Sequence, residues 1–107
     1  MQGDYRIFYG EGTLKQEIYF SSGKKDGRIL SYFPSGNLQQ KGFFKLDQPD
    51  SIFIHYYDNG KVQEEILYHN GVKQGIHRGY YENGKLKFKK EFKDDRTNGS
   101  LEIYSSN

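Results

Sequence analysis

The chain has no cysteine, no tryptophan, two prolines and one methionine in 107 residues. Without cysteine it can form neither disulfides nor thiolate metal sites, and cysteine usage leaves the compartment open. No apolar run approaches the roughly 18 residues of a membrane-spanning helix. No hydrophobic stretch follows Met1-Gln2-Gly3, so no signal peptide is legible. The expectation is a cytoplasmic protein, or an exported one if a signal was removed, with no membrane insertion. A dominant charge is missing too: 16 basic and 14 acidic residues leave a net charge of +2. The two signs interleave, so no nucleic-acid partner is expected. Neither a glycine-rich phosphate loop nor a serine-centred elbow is present. No cofactor and no enzymatic activity are expected.

What is abundant is aromatic. Ten Tyr and eight Phe make up 17% of a chain whose mean hydropathy is strongly negative. Disordered chains are poor in such residues. Each buried ring hides roughly 150–250 Å², so a thin core built from rings is expected.

The rings recur. Gly12, Gly36, Gly60 and Gly84 stand 24 residues apart. Four positions before them lie Phe8, Tyr32, Tyr56 and Tyr80, and three before lie Tyr9, Phe33, Tyr57 and Tyr81. Two positions after come Leu14, Leu38, Val62 and Leu86, and eight after come Phe20, Phe44, Tyr68 and Phe92. Fifteen after, Gly27, Gly75 and Gly99 agree, and Ser51 breaks the rule. Such repetition at a fixed period signals an array of one supersecondary unit.

Each unit reads as a β-hairpin. Asn59-Gly60 and Asn83-Gly84 carry the strongest short hairpin signal. A second turn follows half a repeat later at Ser22-Gly23 and Asn70-Gly71. The second copy replaces it with Leu46-Asp47-Gln48-Pro49, where Pro49 suits a loop. Between turns, Leu14, Gln16, Ile18 and Phe20 alternate with Lys15 and Glu17, the period of an antiparallel strand. The predicted fold is all-β: an antiparallel meander of tandem 24-residue hairpins forming one elongated, twisted sheet of about nine strands. Residues 1–107 form a single repeat domain, with a partial fifth repeat at 100–107. That copy has a first strand, Ser100 to Tyr104, with apolar Leu101 and Ile103 and no strand after it. The expectation is a longer array, or an edge that pairs with another chain.

Neighbouring residues in a strand point to opposite faces. If each turn keeps register, Tyr32, Tyr56 and Tyr80 share the core with Leu38, Val62, Leu86, Phe44, Tyr68 and Phe92. Tyr9, Phe33, Tyr57 and Tyr81, with Tyr19 and Phe43 on the same parity, then form a candidate binding face opposite the core. These rings can receive a partner, since large exposed apolar patches mark interaction sites. They can instead stack across strands and hold the sheet together. Glu64 and Glu65 point to opposite faces, so they are no catalytic pair. His55, His69 and His77 are not spaced to share a metal ion, and no metal site is expected.

The run Tyr-Tyr-(Asp/Glu)-Asn-Gly-Lys-(Leu/Val), at Tyr56–Val62 and Tyr80–Leu86, resembles the bacterial variant of the MORN repeat. That variant is found in proteins labelled as YwqK-family antitoxin components. Residues 52–75 and 76–99 match best; Tyr9-Gly10-Glu11-Gly12 and Phe33-Pro34-Ser35-Gly36 lack the Asn. The resemblance implies a hairpin scaffold with no shared active site and, from its antitoxin label, a partner-binding role. The leading expectation is therefore a protein–protein interaction module. The alternative is a carbohydrate or cell-envelope binding module, since glucan-binding repeats use similar Tyr-rich hairpins.

Overall fold

A computed structural model describes residues 3–93 and 96–104, the side chains of 96–100 excepted. Eleven strands form one antiparallel sheet: β1 (Gly3–Phe8), β2 (Leu14–Ser21), β3 (Lys24–Tyr32), β4 (Leu38–Lys45), β5 (Gln48–Pro49), β6 (Ser51–Tyr56), β7 (Val62–His69), β8 (Val72–Lys73), β9 (Gly75–Tyr80), β10 (Leu86–Lys93) and β11 (Arg96–Ile103). Nine long strands follow one another in chain order, while the two-residue β5 and β8 pair with β4 and β7. The molecule is an open slab of 42 × 32 × 14 Å, close to a single sheet in thickness.

The anchor glycines make the first turn of every repeat. Gly12, Gly36, Gly60 and Gly84 take φ of 100°, 95°, 89° and 91°. Their N–H groups donate to the carbonyls of Tyr9, Phe33, Tyr57 and Tyr81 at 2.8–3.0 Å. This is a three-residue hairpin in which only the glycine is left-handed. Asn59 and Asn83 are not left-handed, as a two-residue Asn-Gly turn would require. Their side chains instead accept the backbone N–H of Lys61 and Lys85, each at 2.9 Å. The two-residue turn with both residues left-handed occurs at the other end of the repeat. There Ser22-Gly23, Leu46-Asp47 and Asn70-Gly71 take φ of 50–84°. The second copy thus turns like the others, and Pro49 lies in β5 opposite Phe44 rather than in a loop. Its carbonyl accepts from the Gly71 N–H at 2.8 Å, a role that needs no donor of its own.

Register fixes the faces, and it departs from the sequence-based expectation. Next to each first turn, two residues oppose one. Ile7 pairs with Gln16 but Phe8 with Leu14, and Ser31 pairs with Gln40 but Tyr32 with Leu38. The same bulge falls at Tyr56 and Tyr80. Each bulge exchanges the faces of the strand beyond it. The core therefore contains Ile18, Ile29, Phe53 and Ile66, with Phe20, Phe44 and Tyr68 packed against it. Tyr32, Tyr56 and Tyr80, expected inside, point to the other face, half-buried. Two glycines within strands complete the core by giving rings room. A Cβ on Gly42 would stand 2.4 Å from the Phe53 ring, and one on Gly79 would stand 2.1 Å from the Phe88 ring. The face carrying these rings is called the ring face below.

One position conflicts with its residue. Gly3, Gly27 and Gly75 take φ of 102°, 119° and 73°, and Ser51, in the same phase, is held at 80°. A side chain there costs about 1–2 kcal/mol, partly offset by the freedom glycine adds to the unfolded chain. Ser51→Gly should therefore raise stability by about 0.5–1 kcal/mol. A denaturation midpoint unchanged or lowered in urea would contradict this.

Candidate functional site

The predicted binding residues divide into two groups. Tyr9, Phe33, Tyr57 and Tyr81 are half-buried rather than displayed on the surface. The hydroxyls of Tyr9, Tyr57 and Tyr81 donate to the carbonyls of Tyr32, Tyr80 and Tyr104 at 2.7, 2.6 and 2.7 Å. Each bond spans 23 residues and joins one repeat to the next. Asn59 adds a similar link to the Glu82 carbonyl at 3.1 Å, and Asn37 reaches the Asp58 carbonyl at 2.7 Å. The three tyrosines and two asparagines tie neighbouring repeats together.

Tyr19 and Phe43 are different: they are 40% and 41% exposed on the face opposite the ring face. Ile52 and Leu67, which the sequence reading did not single out, are 44% and 40% exposed. They are paired with each other in the ladder. Phe43 lies on neighbouring β4, two residues from Lys41, which pairs with Ile54, itself two residues from Ile52. Phe43, Ile52 and Leu67 therefore adjoin as a row across three strands, with Tyr19 further along it. The signal for Ile52 and Leu67 was present in the sequence as apolar residues flanking Phe53 and Ile66, but only the bulged register shows which of each pair faces out.

Beside this apolar row runs a charged one. The ladder aligns Arg6, Glu17, Leu30, Lys41, Ile54, Glu65, Arg78, Lys89 and Glu102, one from each long strand. Arg6 binds Glu17 at 2.7 Å, and Lys89 lies 3.9 Å from Glu102. Glu65 accepts the Tyr80 hydroxyl at 2.7 Å, and burial together with that bond holds the phenol above its usual range. This side of the sheet is called the charged face below.

The ring face holds a titratable group whose environment is altered by burial. His77 is buried, with its ring 5.1 Å from that of Phe88 and 6.0 Å from that of Phe92. Its Nε2 lies 3.1 Å from Glu64, and its buried Nδ1 has no hydrogen-bond partner. Burial lowers its pKa below the ordinary histidine value, against the opposing pull of Glu64. The neutral form is therefore favoured in the folded state, while the unfolded chain takes up a proton near pH 6.5. Stability is complete above that pH and falls as pH drops from the unfolded toward the folded pKa. Thermal melts should show this acid-side loss and His77→Phe should flatten it; parallel curves for both proteins would refute the assignment. Glu64 and Glu65 do lie on opposite faces, one bound to His77 and the other to Tyr80. Lys89 and Lys90 are likewise split between the faces: Lys90 covers the Phe88 ring at 5.3 Å, whereas Lys89 faces Glu102. Among the described residues no three His, Cys, Asp or Glu side chains converge as metal ligands.

Comparison with solved structures finds the same fold. S. aureus TarM, as the G117R mutant in complex with Fondaparinux, alpha-GlcNAc-glycerol and UDP, superposes with a TM-score of 0.53 at 18% identity. The match covers 89% of this chain and 19% of TarM, so the chain spans about a fifth of the length of that protein. A second TarM crystal structure gives 0.49 at 21% identity, over 89% of this chain and 20% of that one. No curated protein matches. The MORN repeat variant matches four times, at residues 1–22, 25–46, 49–70 and 73–94. These four copies span most of the chain and coincide with the hairpins built on the anchor glycines, and the protein belongs to the MORN repeat variant family.

Proposed function

We propose that the chain is a non-enzymatic protein-binding module that docks a partner on its charged face. An antitoxin-like component, holding a second protein by surface complementarity, is the kind of role such a module fills. The observation that carries this reading is the row of Tyr19, Phe43, Ile52 and Leu67, each 40–44% exposed. In an open sheet the ring face is covered by its own aromatics, whereas among the described residues no second layer covers this row. Exposed apolar rows rimmed by charge are what protein interfaces use. The test is capture from source cells with the wild-type chain and with a folded Phe43→Glu/Leu67→Glu variant as baits. Proteins retained by the first and lost by the second support docking; identical profiles overturn it.

A second reading rests on a groove of about 540 Å³ at the first-turn end of the ring face. Gln16, Gln40, Gln63 and His55 line it beside Phe33 and Tyr57. Amides that both donate and accept, next to aromatic rings, suit the hydroxyls and apolar faces of a sugar. A glycan array probed with wild type and Gln40→Ala/His55→Ala distinguishes this reading, since the groove and the apolar row share no residues.

A further inference from the structure

We propose that the occupant of the charged face is a second copy of this chain, packed face to face about a two-fold axis that runs parallel to the strands over Ile54. This inference rests on the docking reading above and names the partner.

The argument comes from the order of the nine aligned side chains. A two-fold axis over β6 carries each strand to the strand equally far on the other side. Arg6 then meets the partner's Glu102, and Glu17 meets the partner's Lys89. Lys41 meets the partner's Glu65, and Ile54 meets the partner's Ile54. Leu30 faces the partner's Arg78, whose aliphatic stem can lie along it. Every charged residue but Arg78 thus finds the opposite sign, and symmetry doubles each contact. No like charges are opposed. Moving the axis by one strand destroys this. Over β7, Lys41 would face the partner's Lys89. Over β4, Glu17 would face the partner's Glu65, and Arg6 the partner's Arg78. Among these three axes, the charge order is compatible with β6 alone.

The apolar row supports the same axis independently. It places Ile52 against the partner's Ile52 and Phe43 against the partner's Leu67. Those are the exposed large apolar residues on the three central strands. A stable interface buries roughly 800 Å² per partner, which a 42 × 32 Å slab can supply from part of one face. Stacked sheets cross at about 30°, so the outermost pairs swing out of line while Lys41 and Glu65, one strand from the axis, stay close.

The test uses the purified full chain in sedimentation velocity, over a concentration series from micromolar to millimolar. Wild type should show a monomer–dimer equilibrium weakened by salt. Lys41→Glu and Glu65→Lys should each raise the dimer Kd at least about tenfold, because each places like charges together twice. An equimolar mixture of the two variants should form a heterodimer with affinity near that of wild type. In that heterodimer the two reversed side chains meet each other across the interface, and so do the two unreversed ones, so both contacts again join opposite signs. Circular dichroism melts confirm that both variants are folded. If Glu65→Lys fails to fold through loss of its bond to Tyr80, Glu17→Lys and Lys89→Glu provide the same mixing experiment. A wild-type protein monomeric throughout overturns the proposal, and so does a dimer indifferent to both reversals, which would point to edge-strand pairing. If the wild type is monomeric while capture still identifies another protein lost with Phe43→Glu/Leu67→Glu, the second copy is refuted and the docking face stands.

Discussion

Gly79→Val should lower stability by about 3 kcal/mol, at the upper end of the range for overpacking a core. The ring of Phe88 lies directly over this glycine, 2.1 Å from where a Cβ would be. The ring has little room to retreat, because His77 meets it edge-on at 5.1 Å and the Lys90 ammonium sits 5.3 Å from its centre. Urea unfolding gives the loss directly. A double-mutant cycle with Phe88→Ala identifies the cause. Removing the ring removes the clash, so the double variant should be more stable than the sum of the two single losses. Additive losses would mean that the glycine acts through its backbone instead.

Phe53→Ala should cost about 3–5 kcal/mol, the usual range for a deleted core aromatic. Phe53 is 5% exposed. It meets Phe44 and Tyr68 edge-to-face at 5.5 and 5.4 Å, and its ring covers Gly42. A single sheet has no opposing layer that could collapse into the void. Since small domains have only about 5–15 kcal/mol in total, this substitution should leave the array marginal at room temperature. Phe43→Ala, on the other face, is the control and should cost about 1 kcal/mol, as expected of a half-exposed ring. Equal midpoints for the two variants would show that the faces have been assigned wrongly.

The repeat, the meander and the first-turn positions were legible in the sequence because they depend on glycines at fixed spacing, and backbone sterics strongly favour glycine there. The faces were not. Alternation counts every second residue, and the extra residue beside each first turn breaks the count where Tyr32, Tyr56 and Tyr80 meet Leu38, Val62 and Leu86. Gly42 and Gly79 were the available clue: a glycine inside a strand marks a close approach by a neighbouring ring. Reading them as such would have placed Phe53 and Phe88 on the ring face. Glu64 and Glu65 were assigned correctly because they lie beyond the bulge, where alternation holds. The role of Tyr9, Tyr57 and Tyr81 depends on which carbonyl lies under each hydroxyl. That requires the stacking of successive turns, which a pattern of rings alone does not define. Of the exposed apolar row, Tyr19 and Phe43 were picked out by parity, whereas Ile52 and Leu67 needed the register.

The hydroxyl-to-carbonyl bonds between turns bear on how such a chain can change in length. Donor and acceptor sit at equivalent places in adjoining units, so the rule is the same at every junction where a tyrosine supplies the hydroxyl. In-phase duplication of 24 residues therefore creates a junction whose groups are already matched, and in-phase deletion leaves none stranded. A gain or loss of half a unit would instead set a first turn against a second turn, where the tyrosine would find no carbonyl prepared for it. Copy number in this architecture can drift by whole units under weak selection, while phase is held strictly.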